Sequence, residues 1–194
     1  IIDKKYHLRK TEETEKNGFQ LFHIFENEFK DKKDIWKSII SNKLGLSKKI
    51  PARKCLLKEL SQKESYEFLE LNHMQGNCNS TVKLGLFFED ELLSVMTFRK
   101  HKKYQWEIAR FANKLNTTVI GGASKLLKYF EKKQKPEMLL SFANRRWSQG
   151  NLYDNLGFEF IKNTEPNHFW FKPNENVLYS REVFQKHKLK DKIA

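Results

Sequence analysis

The sequence predicts a mixed α/β protein, a central sheet of mixed strand directions flanked by helices, on three observations. Hydrophobic residues make up 39% of the 194 residues and aromatics 13%, with 16 Phe among them, which is enough apolar surface for a core. Two apolar runs, 82–88 and 91–98, meet at Glu89-Asp90, the mark of a hairpin. Gly121-Gly122 then opens an amphipathic helix over 123–132, and an apolar strand follows over 138–143.

The elements follow in chain order. Residues 5–17 read as an exposed helix stopped by Gly18, and the Phe-rich stretch 19–25 (FQLFHIF) reads as a strand. Ile35 and Ile39, like Trp36 and Ile40, fall four apart in a helix over 32–43 that Gly45 closes. The stretch 46–51 reads as a linker, and Cys55–Leu57 as a short strand. A helix over 62–71 puts Tyr66, Phe68 and Leu69 on its apolar side, and Asn72-His73-Met74-Gln75-Gly76 breaks it. A strand is expected over 106–111 and a short helix over 148–156, ended by Gly157. The last strands are 158–161 and 168–171, before a basic helix from Arg181. This gives a front segment 1–47, a linker 48–54, a main domain 55–176 and a basic helical tail 177–194.

Lys and Arg number 37 against 24 Asp and Glu, a formal charge of +13, which favours a polyanionic partner. A Lys-rich surface with no partner is the bland alternative. Two lone cysteines, Cys55 and Cys78, suit neither a zinc site nor a disulfide scaffold and read as reduced thiols. No apolar run approaches the ~18 residues of a membrane helix, and no signal peptide is recognisable, so a cytoplasmic protein is expected. The chain starts at Ile1 and ends within a charged helical pattern, so it reads as a piece of something longer.

Two constellations carry chemistry in the main domain. Ile120-Gly121-Gly122-Ala123-Ser124-Lys125 leads from a strand into a helix, where glycines let backbone N–H groups approach an anion. A plain glycine turn accounts for the same residues. Downstream, a strand ends in Ser141-Phe142-Ala143-Asn144, and Leu152-Tyr153 precedes Leu156-Gly157-Phe158. In this order the motifs resemble the second half of the GNAT acyltransferase fold. The resemblance implies that Ile120 to Lys125 hold the pyrophosphate of acyl-coenzyme A and that Tyr153 protonates a leaving thiolate. A core tyrosine is the alternative for Tyr153. Asn72-His73 and Asn144 together resemble Mom-like DNA-modification transferases. Asn144 stands where that pattern has an acid and cannot serve as a general base. His73 keeps a group titrating near neutrality, or else simply caps its helix.

The front segment, Tyr6-His7-Leu8-Arg9-Lys10-Thr11 followed by Gly18 to Glu26, resembles the end of the nuclease domain of phage homing endonucleases, itself similar to the very-short-patch-repair fold. That family continues with a Mom-like domain, an Asn-His-x-Gln-Gly turn and a basic tail like Phe184 to Leu189, so the likeness spans nearly the whole chain. It implies a double-stranded DNA partner, a bacterial host cell and Mg²⁺ if the carboxylate cluster is complete. The main acidic strand of that family lies before the Tyr-His-Leu element, where this sequence has only Ile1-Ile2-Asp3. His7, Lys10 and Glu26 are the candidate remaining edge of the site.

Basic clusters complete the reading. Arg99-Lys100-His101-Lys102-Lys103-Tyr104 is expected as a loop, and Arg145-Arg146-Trp147 at a strand end; Arg110 and the tail residues Lys186 and Lys188 join them. Cations beside aromatics suit phosphate contact and base stacking. Three functions fit: a DNA-binding protein of the homing-endonuclease type lacking a complete nuclease site, an acyltransferase acting on a DNA base or small amine, and a non-catalytic adaptor.

Overall fold

The computed structural model describes residues 5–167 together with 169–172, 175, 177–180 and 183. The chain divides into two compact units. The larger comprises residues 32–143 and 151–158; the smaller comprises 1–31, 144–150 and 159–194. Residues 48–54 lie inside the larger unit.

The larger unit is α/β, with a mostly antiparallel sheet flanked by helices. It contains helices α3 (Lys33–Lys43), α4 (Gln62–Asn72), α5 (Gly122–Gln134) and α6 (Asn151–Asn155). Its strands are β1 (Lys48–Pro51), β2 (Leu56–Glu59), β3 (Val82–Phe88), β4 (Glu91–His101), β5 (Gln105–Asn113), β6 (Thr117–Ile120) and β7 (Leu139–Leu140). Five strands form one sheet in the order β2-β3-β4-β5-β7. The first three pairings are antiparallel, and β5 with β7 is parallel, through Trp106 opposite Leu139 and Glu107 opposite Leu140.

Local chemistry explains these elements. Glu89 and Asp90 both adopt positive φ (51° and 61°), the conformation a tight two-residue hairpin needs for its twist to match the strands. Ser61 and Glu64 form a reciprocal capping box that starts α4. Residues 93–98 of β4 are buried without a break, because this central strand is covered on both faces. On one face Leu84, Leu86, Met96 and Phe98 meet Leu126, Leu127 and Phe130 of α5. The Phe98 and Phe130 rings stack at 3.7 Å, and Trp106 meets Phe130 edge-on at 5.1 Å. On the other face Val95 and Ala112 pack with Phe68 and Leu69 of α4. Tyr66, expected on that apolar side, is exposed.

Several expected elements differ. Residues 48–51, expected as a linker, form β1, which runs parallel to β6 from Lys48 opposite Thr117 to Pro51 opposite Ile120. The pairing is fixed by side chains of α3 and the following turn, where Asn42 and Ser47 both reach Thr118 Oγ1 and Ser38 Oγ accepts from Asn116 N–H. The expected strand 138–143 is ladder-paired only at Leu139 and Leu140, after which the chain leaves the sheet. Residues 99–101, expected in a loop, extend β4 and leave only 102–104 as the turn.

The smaller unit holds α1 (Tyr6–Lys16), α2 (Glu26–Asp31) and a two-residue ribbon of β8 (Phe169–Trp170) with β9 (Tyr179–Ser180). The expected strand over 19–25 is irregular. Its neighbour, 144–150, is itself irregular and offers no ladder; His23 N–H donates to the Arg146 carbonyl (2.9 Å) and Gln20 Nε2 to the Trp147 carbonyl (3.0 Å). The expected strand over 158–161 is also irregular. His168, the Phe184–Leu189 motif and the tail cations Lys186 and Lys188 lie outside the described residues.

Candidate functional site

In the smaller unit, helical spacing brings Tyr6, His7, Lys10 and Thr11 to neighbouring positions on α1. The irregular segment adds His23 and Phe25. The His7 and His23 rings stand perpendicular, centroids 5.2 Å apart, and Lys10 Nζ lies 4.7 Å over the Tyr6 ring. Tyr6, His7, Lys10, His23 and Phe25 line a cleft of about 260 Å³ whose remaining walls are Leu21, Phe22 and Ile24. Thr11, buried, donates its hydroxyl proton to the His7 carbonyl (3.0 Å) and lies 2.8 Å from His23 Nε2. A hydroxyl has one proton, so both bonds form together only if His23 Nε2–H is the donor. The neutral ring therefore carries its lone pair on Nδ1. Burial holds the His23 pKa below the usual histidine value, and the charges of His7, Arg146 and Lys10 lower it further.

His7 and Lys10 thus reach the cleft as expected, but Glu26 does not line it. Glu26 opens α2, is exposed, and pairs with Lys30 one turn on (2.8 Å); that ammonium lowers its pKa. Sequence reasoning missed His23 as a site residue, because a strand would have offered no reason to place it over α1. Among the described residues, no group of three or more His, Cys, Asp or Glu side chains is placed to hold a metal ion.

Arg145 and Arg146 are bound to carboxylates within the same unit. Arg145 Nη2 donates to Glu15 (2.7 Å), and Arg146 makes a bidentate pair with Glu28 (2.8 and 2.9 Å) while lying over the Phe25 and Trp147 rings. Asn144 caps the same turn: its side-chain oxygen accepts from Arg146 N–H, and its carbonyl from Trp147 and Ser148.

In the larger unit the glycine turn forms as expected. Gly121 sits in the left-handed region (φ 76°) before α5, and a Cβ on Gly122 would meet Val119 Cγ1 at 3.0 Å. Ile120 is exposed and Ala123 buried, with Ser124 between these extremes. Lys125 Nζ does not turn to the helix N-terminus: it donates to the carbonyls of Ala52 (2.9 Å) and Cys55. Tyr153 packs edge-on against Phe158, and its hydroxyl donates to the Phe142 carbonyl (3.3 Å). Burial raises its pKa against an opposing effect of Ser141.

His73 caps α4 through its backbone, and its Nδ1 accepts from Gln75 N–H (3.1 Å). Burial first, then the charges of Arg110 and Lys32, push its pKa down to about 4, so the ring is neutral at pH 7. Asn72 is a fastener, donating to the Phe68 carbonyl and accepting from Leu115 N–H. Arg110 does similar work, donating to the Gly76 and Ala109 carbonyls.

The β4–β5 turn presents the remaining cations. Arg99 makes a bidentate pair with buried Glu107, directly opposite on β5, and that pairing raises its pKa. Lys100 Nζ lies 3.7 Å over the Trp106 ring, and Lys103 Nζ 5.1 Å over Tyr104. His101 Nδ1 accepts from Lys103 and Tyr104 N–H and so closes the turn, leaving Lys102 exposed at its tip. No described carboxylate lies within ion-pair distance of Lys100, Lys102 or Lys103. Among the described residues no helix is long and apolar enough to cross a membrane. No protein-family model and no curated protein sequence matches this chain.

Proposed function

We propose that this chain is a DNA-binding protein of the phage homing-endonuclease type, acting in the cytoplasm of a bacterial host. The observation that carries the reading is the β4–β5 turn, where Lys100, Lys102 and Lys103 have no carboxylate partner among the described residues and two of them lie on aromatic rings. In a chain of formal charge +13, such cations suit the phosphate backbone, which supplies affinity without reading sequence. Anisotropy of a labelled duplex tests this at low salt. The chain should bind, and Lys100→Gln/Lys102→Gln/Lys103→Gln should weaken binding by at least tenfold for any sequence. Absence of binding at low salt rejects the reading. Duplex should not be cut with Mg²⁺, because Glu26 does not line the cleft with His7 and Lys10 and is paired with Lys30.

A second reading, an acyl-coenzyme A transferase, is favoured by β6 leading through the Gly121-Gly122 turn into α5, the turn on which the GNAT resemblance draws. The Gly121–Ser124 amides would then meet the pyrophosphate. Calorimetry with acetyl-coenzyme A tests it, and no heat at millimolar ligand removes it.

A further inference from the structure

We propose that the cleft of the smaller unit is a phosphate-binding site formed by His7, Lys10 and His23. Three groups that carry or can take up positive charge line a single cleft, and no acidic side chain among the described residues lines it with them. Of the charged groups nearby, Arg146 is matched with Glu28 and Arg145 with Glu15, and Glu12, Glu13, Glu26 and Asp31 do not line the cleft. The remaining side-chain walls are largely apolar, and His7 and Lys10 stand exposed where an anion can reach them. The cleft thus gathers three such groups where one anion would meet them together.

The His23 hydrogen bonds say how. With Nε2–H fixed on Thr11, the next proton goes to Nδ1, and an anion in the cleft favours that proton against the burial, and the neighbouring His7, Arg146 and Lys10 charges, that resist it in the free protein. A phosphate monoester, dianionic near neutral pH, gains most from such a cluster. The volume, about 260 Å³, falls just under the range of about 300–1,000 Å³ usual for ligand pockets, which suits one phosphate and the near face of what it is attached to. The half-exposed Tyr6 ring at the rim offers that attached group a stacking surface. This inference does not rest on the DNA-binding reading, whose cations lie on the β4–β5 turn.

Imidazole NMR of the full chain tests it with three probes: inorganic phosphate, a nucleoside 5′-monophosphate and the unphosphorylated nucleoside. Both phosphate probes should shift the His7 and His23 resonances saturably and raise the His23 pKa, and the nucleoside alone should not. Equal affinity for the two phosphate probes assigns the site to free phosphate, and tighter monophosphate binding to a nucleotide or a nucleic-acid end. Lys10 is exposed, so Lys10→Gln should keep the fold and weaken phosphate at least fivefold; the β4–β5 triple variant should leave it unchanged. An unmoved His23 with either phosphate probe, or an unaltered affinity in Lys10→Gln, overturns the proposal.

Discussion

Glu107 is buried on β5 and meets the Arg99 guanidinium across the strand pair through two hydrogen bonds. Removing one member of such a pair strands the other's charge, so Arg99→Ala should cost about 3 kcal/mol in chemical denaturation. Arg99→Met/Glu107→Met should recover most of that loss; a double variant as unstable as Arg99→Ala would contradict the assignment. His73 makes a second residue-scale prediction. Its folded pKa of about 4 lies below the 6.5 of an unfolded histidine, so the unfolded chain binds more protons between these values. Stability should therefore be full above about pH 6.5 and decline as pH falls toward 4, by roughly 3 kcal/mol from this one group. The His73 resonance should titrate near pH 4, and His73→Gln should flatten the profile in that window. A midpoint near 6.5 would show that the ring is hydrated and unburdened. Arg110 and Asn72 teach the related lesson that a polar residue in a suggestive motif can be spent on backbone carbonyls and amides.

At the scale of elements, periodicity made the larger unit legible. Residues 62–72, 82–88 and 122–134 carry their own signals: a capping box, a hairpin with two residues at positive φ, and an apolar stripe after a glycine pair. The failures share one cause, which is that strands need partners and local sequence does not name them. Residues 19–25 have strand composition but face an irregular neighbour, and 48–51 look like a linker yet pair with β6. The site divides the same way. His7 and Lys10 lie three apart on one helix and could be grouped from spacing, whereas His23 joins them through tertiary contacts with Thr11, His7 and the Arg146 carbonyl. Gly122 supplies the prediction at this scale. A methyl there would press on Val119 and Leu86, inside the contact of α5 with the sheet, so Gly122→Ala should destabilise by about 1–3 kcal/mol. Gly150→Ala, which meets nothing within 4 Å, should cost only the strain of its positive φ. Equal losses at the two positions, by thermal or urea unfolding, would argue against this packing.

For the whole molecule, the governing quantity is the charge of +13 and how much of it remains unpaired. Sequence reading gave Arg99, Arg110, Arg145 and Arg146 equal standing with the lysines. All four guanidiniums are held by carboxylates or carbonyls, which leaves Lys100, Lys102 and Lys103 as the proposed phosphate contacts. The most direct test is the salt dependence of duplex affinity, since each neutralised phosphate releases counterion and contributes about −0.9 to the slope of log K against log salt. The intact chain should show a steep slope. Replacing the three lysines by glutamine should flatten it by roughly 2 to 3 if each meets a phosphate, while Arg145→Lys should leave it nearly unchanged. A flat slope for the intact chain, or the same slope in the triple variant, would contradict the account.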